Sequence, residues 1–159
     1  MRGGALSVAF VAAVVFGSAA MADGPAVAEV PKAIVAEIKA RAAAEHPDDY
    51  SLQLYVVKTE TAAYLDLEVL SDDDVPTVTF EEIKAAAAKE HPTDYSLQLY
   101  VCRGELDAFK KLREFRPEGV PEKVVKKILG DAVDEHPGDY SLQLYVAKNQ
   151  VEAWRELSK

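Results

Sequence analysis

"EHPDDYSLQLYV" occupies residues 45–56, returns as "EHPTDYSLQLYV" at 90–101, and returns again as "EHPGDYSLQLYV" at 135–146. Its second half could be read as a strand, because Leu52, Leu54 and Val56 alternate along it. The residues that follow decide the matter. At about 100° per residue, Leu52, Val56, Ala63 and Leu67 fall within about 60° of one another. The same register holds Leu97, Val101, Ala108 and Leu112, then Leu142, Val146, Ala153 and Leu157. One helix through the whole segment explains both halves, whereas a strand explains only the first. Upstream, Pro47 ends a preceding helix by disfavouring helical geometry at His46. Asp49, Asp94 and Asp139 then stand where a second helix needs its N-cap, and their charge suits the positive end of the helix dipole.

The spacing of 45 residues extends beyond the quoted segment: Val30-Pro31, Val75-Pro76 and Val120-Pro121 are in step, as are Ile38, Ile83 and Ile128. Units of 30–74, 75–119 and 120–159 result, and a fixed period of this size marks a repeat protein. Each unit reads as two helices. The first runs from about Pro31 to Glu45, with proline at the initial helical position where its missing donor costs nothing. Val35, Ile38 and Ala42 form its buried stripe. The second helix carries two apolar faces, since Leu54 and Thr61, with Leu99 and Leu106 or Leu144 and Val151, point away from the first stripe. A helix apolar on two sides packs on two sides. The expected fold is all-α: three tandem 45-residue helical hairpins stacked as a short solenoid or bundle that shares a core. In this reading Leu52, Tyr55 and Val56 enter the core and Gln53 joins a polar seam with Glu60. Tyr64, Phe109 and Trp154 fill a packing position tolerant of ring shape.

The first residues have the layout of a secretory leader. Arg2 precedes an apolar run from Ala5 to Phe16, and Ala20-Met21-Ala22 fits a peptidase that cleaves before Asp23. The run is shorter than the roughly 17–25 residues a span requires. The expected organisation is therefore a signal peptide at 1–22, a linker at 23–29 and the three units, in a periplasmic or secreted bacterial protein with no membrane span after cleavage. The formal charge is −9 with 18 Lys and Arg against 27 Asp and Glu, which argues against nucleic acid or anionic lipid as a partner. Cys102 is the only cysteine, so no intrachain disulfide forms. Val57 and Ala147 at the equivalent positions mark it as a small apolar residue. "SDDD" at 71–74 lacks the glycine and closing glutamate of a calcium loop.

Eleven of twelve residues agree in all copies across 45–56 and its equivalents, but only four of fifteen across 30–44. Turn chemistry is specified residue by residue, so a hinge can fix much of this. A binding surface can fix it too. The candidate row is His46, Asp49, Tyr50 and Gln53, with His91, Asp94, Tyr95 and Gln98, and with His136, Asp139, Tyr140 and Gln143. The three histidines, each beside a glutamate and near an aspartate, are suitable metal ligands by type but not by spacing. No nucleophile elbow, zincin helix, Walker loop or dinucleotide fingerprint is present. The P-x-D-Y-x-x-Q-x-Y pattern of Pro47–Tyr55 and its copies resembles a helical segment of small uncharacterised secreted bacterial proteins, and that resemblance implies export without implying an activity. The functional expectation is an exported, non-catalytic α-helical repeat protein without cofactor that binds a protein or peptide of the cell envelope. The alternative is a periplasmic small-ligand or metal-binding protein that uses the repeated turn.

Overall fold

The computed structural model describes residues 29–159; the expected leader and most of the expected linker lie outside the described residues. Six helices follow in order: α1 (Lys32–Glu45), α2 (Tyr50–Val69), α3 (Thr77–Glu90), α4 (Tyr95–Arg113), α5 (Glu122–Glu135) and α6 (Tyr140–Leu157). Each odd helix begins one residue later than the sequence suggests. Pro31 is extended at φ −53° and ψ 136°, and its carbonyl accepts from Val35 N at 3.1 Å, as Pro76 does from Phe80 and Pro121 from Val125. Proline thus stands just outside the helix and aims it.

The turns between paired helices obey the repeated letters. His46 N closes α1 on Ala42 O, and Asp49 N reaches His46 O at 3.3 Å across Pro47 and Asp48. Asp49 Oδ1 then accepts from Leu52 N at 2.9 Å, and Asp94 and Asp139 make the same cap at 2.8 Å. Such a cap stabilises a helix by about 1 kcal/mol. The one variable letter lies at the turn's apex. Asp48 has φ +68° and Gly138 φ +81°, whereas Thr93 stays out of the left-handed region, where a β-branched residue is strained.

Helix contacts correct the expected architecture. The all-α class holds, and α1 packs on α2, α3 on α4 and α5 on α6. The non-local contacts, however, join α2 to α4 and α4 to α6 alone, and no odd helix packs on another among the described residues. A simple tandem-repeat solenoid would also lay α1 against α3 and α3 against α5. What forms is a packed six-helix bundle with a central layer of α2, α4 and α6. The odd helices have a single buried stripe, Ile38 with Ala42 in α1 and Val125, Ile128 and Ala132 in α5. That stripe faces inward, with the backbone of each odd helix packed only on its partner within the hairpin. Only the even helices have a second apolar face to offer. The main core lies around α4, where Tyr95, Leu99, Cys102 and Leu106 meet Ile38, Leu67 and Phe80.

Candidate functional site

The repeated segment performs structural work that begins with glutamine. Gln53 Nε2 donates to His46 O at 2.8 Å, and Gln98 and Gln143 donate to His91 O and His136 O at 2.6 and 2.7 Å. Each glutamine in the second helix thereby ties down the carbonyl that ends the first. The polar seam with Glu60 expected for Gln53 does not form. Glu60 reaches instead to the next hairpin, where its Oε2 accepts from Tyr95 N at 2.7 Å and Ser96 N at 3.4 Å. Glu105 repeats this on Tyr140 and Ser141 at 2.7 and 3.3 Å. The first donors of a helix lack intrahelical partners, and a carboxylate there also meets the positive end of the dipole. Each of these N-termini therefore has two caps, one from its own turn and one from the preceding hairpin.

The aromatic residues complete the junction. Tyr64 stands edge-on to Tyr95 with ring centroids 5.2 Å apart, and Phe109 does the same to Tyr140 at 5.1 Å. Burial raises the Tyr95 hydroxyl above its ordinary pKa. The candidate row consequently divides. Tyr95, Gln98 and Gln143 are buried, Tyr140 is half-buried, and the histidines are half-buried beside their helix ends. Tyr50 is exposed, as is Asp49, while Asp94 and Asp139 are half-buried in their capping roles. The structure does not bring these twelve residues into one exposed row. Among the described residues, no three His, Cys, Asp or Glu side chains gather as a metal site. Cys102 is buried, which raises its thiol pKa and keeps it in the poorly nucleophilic protonated form.

A different row emerges. Tyr55, Tyr100 and Tyr145 are 64%, 75% and 63% exposed, and Leu52, Leu97 and Leu142 beside them are also exposed. The expectation that Leu52 and Tyr55 enter the core is thus corrected: a helix gripped on two sides by neighbours leaves its intervening flank to solvent. Residues three apart share a helix face, so each even helix presents one Leu–Tyr pair. Packed helices lie about 8–10 Å apart, which sets the step from one tyrosine to the next. A hollow of ≈360 Å³ between α2 and α4 is lined by Tyr55, Thr59, Ser96 and Leu97.

The space around the caps that join neighbouring hairpins differs between the two junctions. At the first, the Arg41 guanidinium lies 3.0 Å from Glu60, 3.4 Å from Asp94 and 3.9 Å from Glu45. At the second, Ala86 holds the register of Arg41 and leaves a groove of ≈520 Å³. Glu90, Glu105 and Asp139, the counterparts of Arg41's three carboxylates, line that groove with Glu82, over a floor that includes Ile83 and Tyr140. Among the described residues no helix is long and apolar enough to cross a membrane.

The fold and site define an all-α bundle with a repeated, exposed Leu–Tyr row on its central layer. No protein-family model, curated protein or solved structure matches the chain.

Proposed function

We propose that this is an exported, non-catalytic binding module whose partner is a protein or extended peptide of the cell envelope. One observation carries the reading: Leu52 and Tyr55 are identical in all three copies yet remain exposed in each. Packing demands account for the buried and hydrogen-bonded letters of the segment. They do not account for a leucine and a tyrosine that face solvent. Exposed apolar strips of this kind mark interaction surfaces, and tyrosine is enriched among the residues that dominate binding energy. A chain extended across the layer advances about 3.3 Å per residue, so every third side chain meets the next tyrosine.

The groove lined by Val101 and Glu105, on the helix that carries Tyr100, adds the partner's charge. Carboxylates at the same three registers grip an arginine at the first junction, and at the second they line an open groove. The peptide that fits therefore carries an arginine or lysine next to the segment lying on the row. Export rests on the leader-like residues 1–22 and is tested by following cleavage before Asp23 in a bacterial host.

Peptide display against the purified protein tests the binding reading. Selected peptides are expected to carry a basic residue and to lose about thirtyfold in affinity for each tyrosine removed, the scale of one hot-spot side chain. The control is a chain with Tyr55→Ser, Tyr100→Ser and Tyr145→Ser, whose melting temperature stays close to that of the parent because these rings are exposed. Equal retention of the selected peptides by both chains would overturn the proposal.

A further inference from the structure

The contact between neighbouring hairpins is made twice within the chain, and the two outermost hairpins each keep one unused half of it. On the first hairpin the open half is the α2 face that α4 and α6 bury. Tyr50 is 77% exposed where Tyr95 is 9%, and Leu54 is 54% exposed where Leu99 and Leu144 are 7% and 8%. On the third hairpin the open half is the α6 face that α2 buries. Leu157 is 89% exposed where Leu67 is 7%, and Ala153 is exposed where Ala63 and Ala108 are buried. A hollow of ≈580 Å³ lies there, lined by Val124, Ile128 and Trp154 among others.

From this we infer that the protein associates head to tail with a second copy of itself, the α2 face of one molecule seating on the α6 face of the next. The two faces are complementary because the chain already joins them internally. Trp154 holds the register at which Tyr64 and Phe109 receive the rings of Tyr95 and Tyr140, and Tyr50 of the second copy is the ring that remains. Gln150 holds the register of Glu60 and Glu105, with an amide oxygen able to accept from the N–H groups of Tyr50 and Ser51. The ion pair between Arg103 and Asp66 at 3.1 Å has Lys58 and Glu156 at its equivalent positions, again of opposite charge.

Two differences make this contact weaker than the internal ones. A neutral amide replaces a carboxylate at the helix N-terminus. Asp131 and Asp49 also stand where Arg41 and Asp94 pair, although Asp131 is already bound to Lys127 at 2.6 Å. The contact further lacks the connector that holds internal neighbours together. Because the two faces differ, the interface is heterologous, and repetition gives a ring where the rotation closes and an open row of molecules where it does not.

Sedimentation velocity on the purified protein tests this, over about 5 to 500 µM, where contacts without a linker's roughly millimolar effective concentration become populated. The weight-average mass is expected to climb with concentration. Leu54→Asp and Leu157→Asp each block one face at an exposed position, and each variant alone is expected to lose association at least tenfold. Mixed, they retain one intact face of each kind and should give one-to-one dimers and nothing longer. A chain with Tyr55→Ser, Tyr100→Ser and Tyr145→Ser should associate like the parent, which separates this contact from the peptide-binding row. A parent protein that stays monomeric throughout overturns the inference, as does a Leu54→Asp, Leu157→Asp double variant that associates unchanged.

Discussion

At the first junction Arg41 is wedged between Glu60 and Asp94, and Glu60 is buried. At the second, Ala86 leaves the equivalent space open and Glu105 is only half-buried. The backbone caps are nevertheless equal, with the shorter contact at 2.7 Å in both. The connectors differ in the kind of tie they receive. Lys110 of α4 reaches back to Asp72 at 2.7 Å, while Pro117 occupies the register of Asp72 in the following connector and Arg155, the counterpart of Lys110, donates to Glu118 O at 2.8 Å. The core follows suit, with one large cluster across the first junction and a separate small one of Ile128, Ala147 and Val151 at the third hairpin. The repeated letters therefore set the geometry of a junction, and the unrepeated ones decide which further side-chain contacts reinforce it.

The strongest way to break this comparison is to remove the two glutamates separately. Glu60→Ala strips two hydrogen bonds from the N-terminus of α4 and leaves the half-buried Arg41 without its nearest partner, which should destabilise by about 2–3 kcal/mol. Glu105→Ala removes only the equivalent two hydrogen bonds and should cost about 1–2 kcal/mol. Urea denaturation of both variants measures the difference, and equal losses would mean that Arg41 adds nothing. The converse experiment makes the second junction resemble the first. Ala86→Arg should stabilise by about 1 kcal/mol, since the new side chain is part-exposed and pays rotamer entropy. It should also abolish the binding of basic peptides, measured by calorimetry.

A smaller effect separates the connectors by pH. The Lys110 ammonium holds the Asp72 carboxyl below its ordinary value of 3.8, against an opposing influence of burial. A folded-state value below the unfolded one means that the stability contributed is present above about pH 4 and is lost as pH falls through the folded value. The gap in stability between the parent and Asp72→Asn should therefore be constant from neutral pH to about pH 5 and close below about pH 4. The smallest effect belongs to the turn apex. Asp48→Gly relieves a left-handed aspartate at φ +68° and should stabilise by about 0.5 kcal/mol, measured by thermal melting. The same change at Thr93, which does not use that conformation, should fail to stabilise.

Much of the fold was legible because its signals are local. Pro47 and Asp49 mark the two sides of the turn, and the doubled apolar faces of α2, α4 and α6 announce helices with partners on two sides. The pairing of helices was not legible, since a period of 45 residues says nothing about whether α1 also meets α3. Nor was the fate of Leu52 and Tyr55. Once a helix has two apolar faces, a wheel cannot say which flank between them stays wet. For that reason the exposure of Tyr55, Tyr100 and Tyr145 is invisible in the repeat alone. The contact of Gln53 with His46 O was hidden because it folds back across the turn. The junction role of Glu60 was hidden because its partners lie 35 and 36 residues on.

Because no backbone contact joins α1, α3 and α5 to one another, each outer helix should be able to open without the others opening too. Local opening should then follow each helix's own attachment. The backbone amides of α3, whose Phe80, Ile83 and Ala87 sit in the main cluster, should exchange with deuterated solvent slowest of the three. Those of α1, anchored chiefly by Ile38 and Ala42, should exchange sooner. Such a protein loosens from its rim inward, leaving the tyrosine-bearing layer assembled after its flanks have begun to fray.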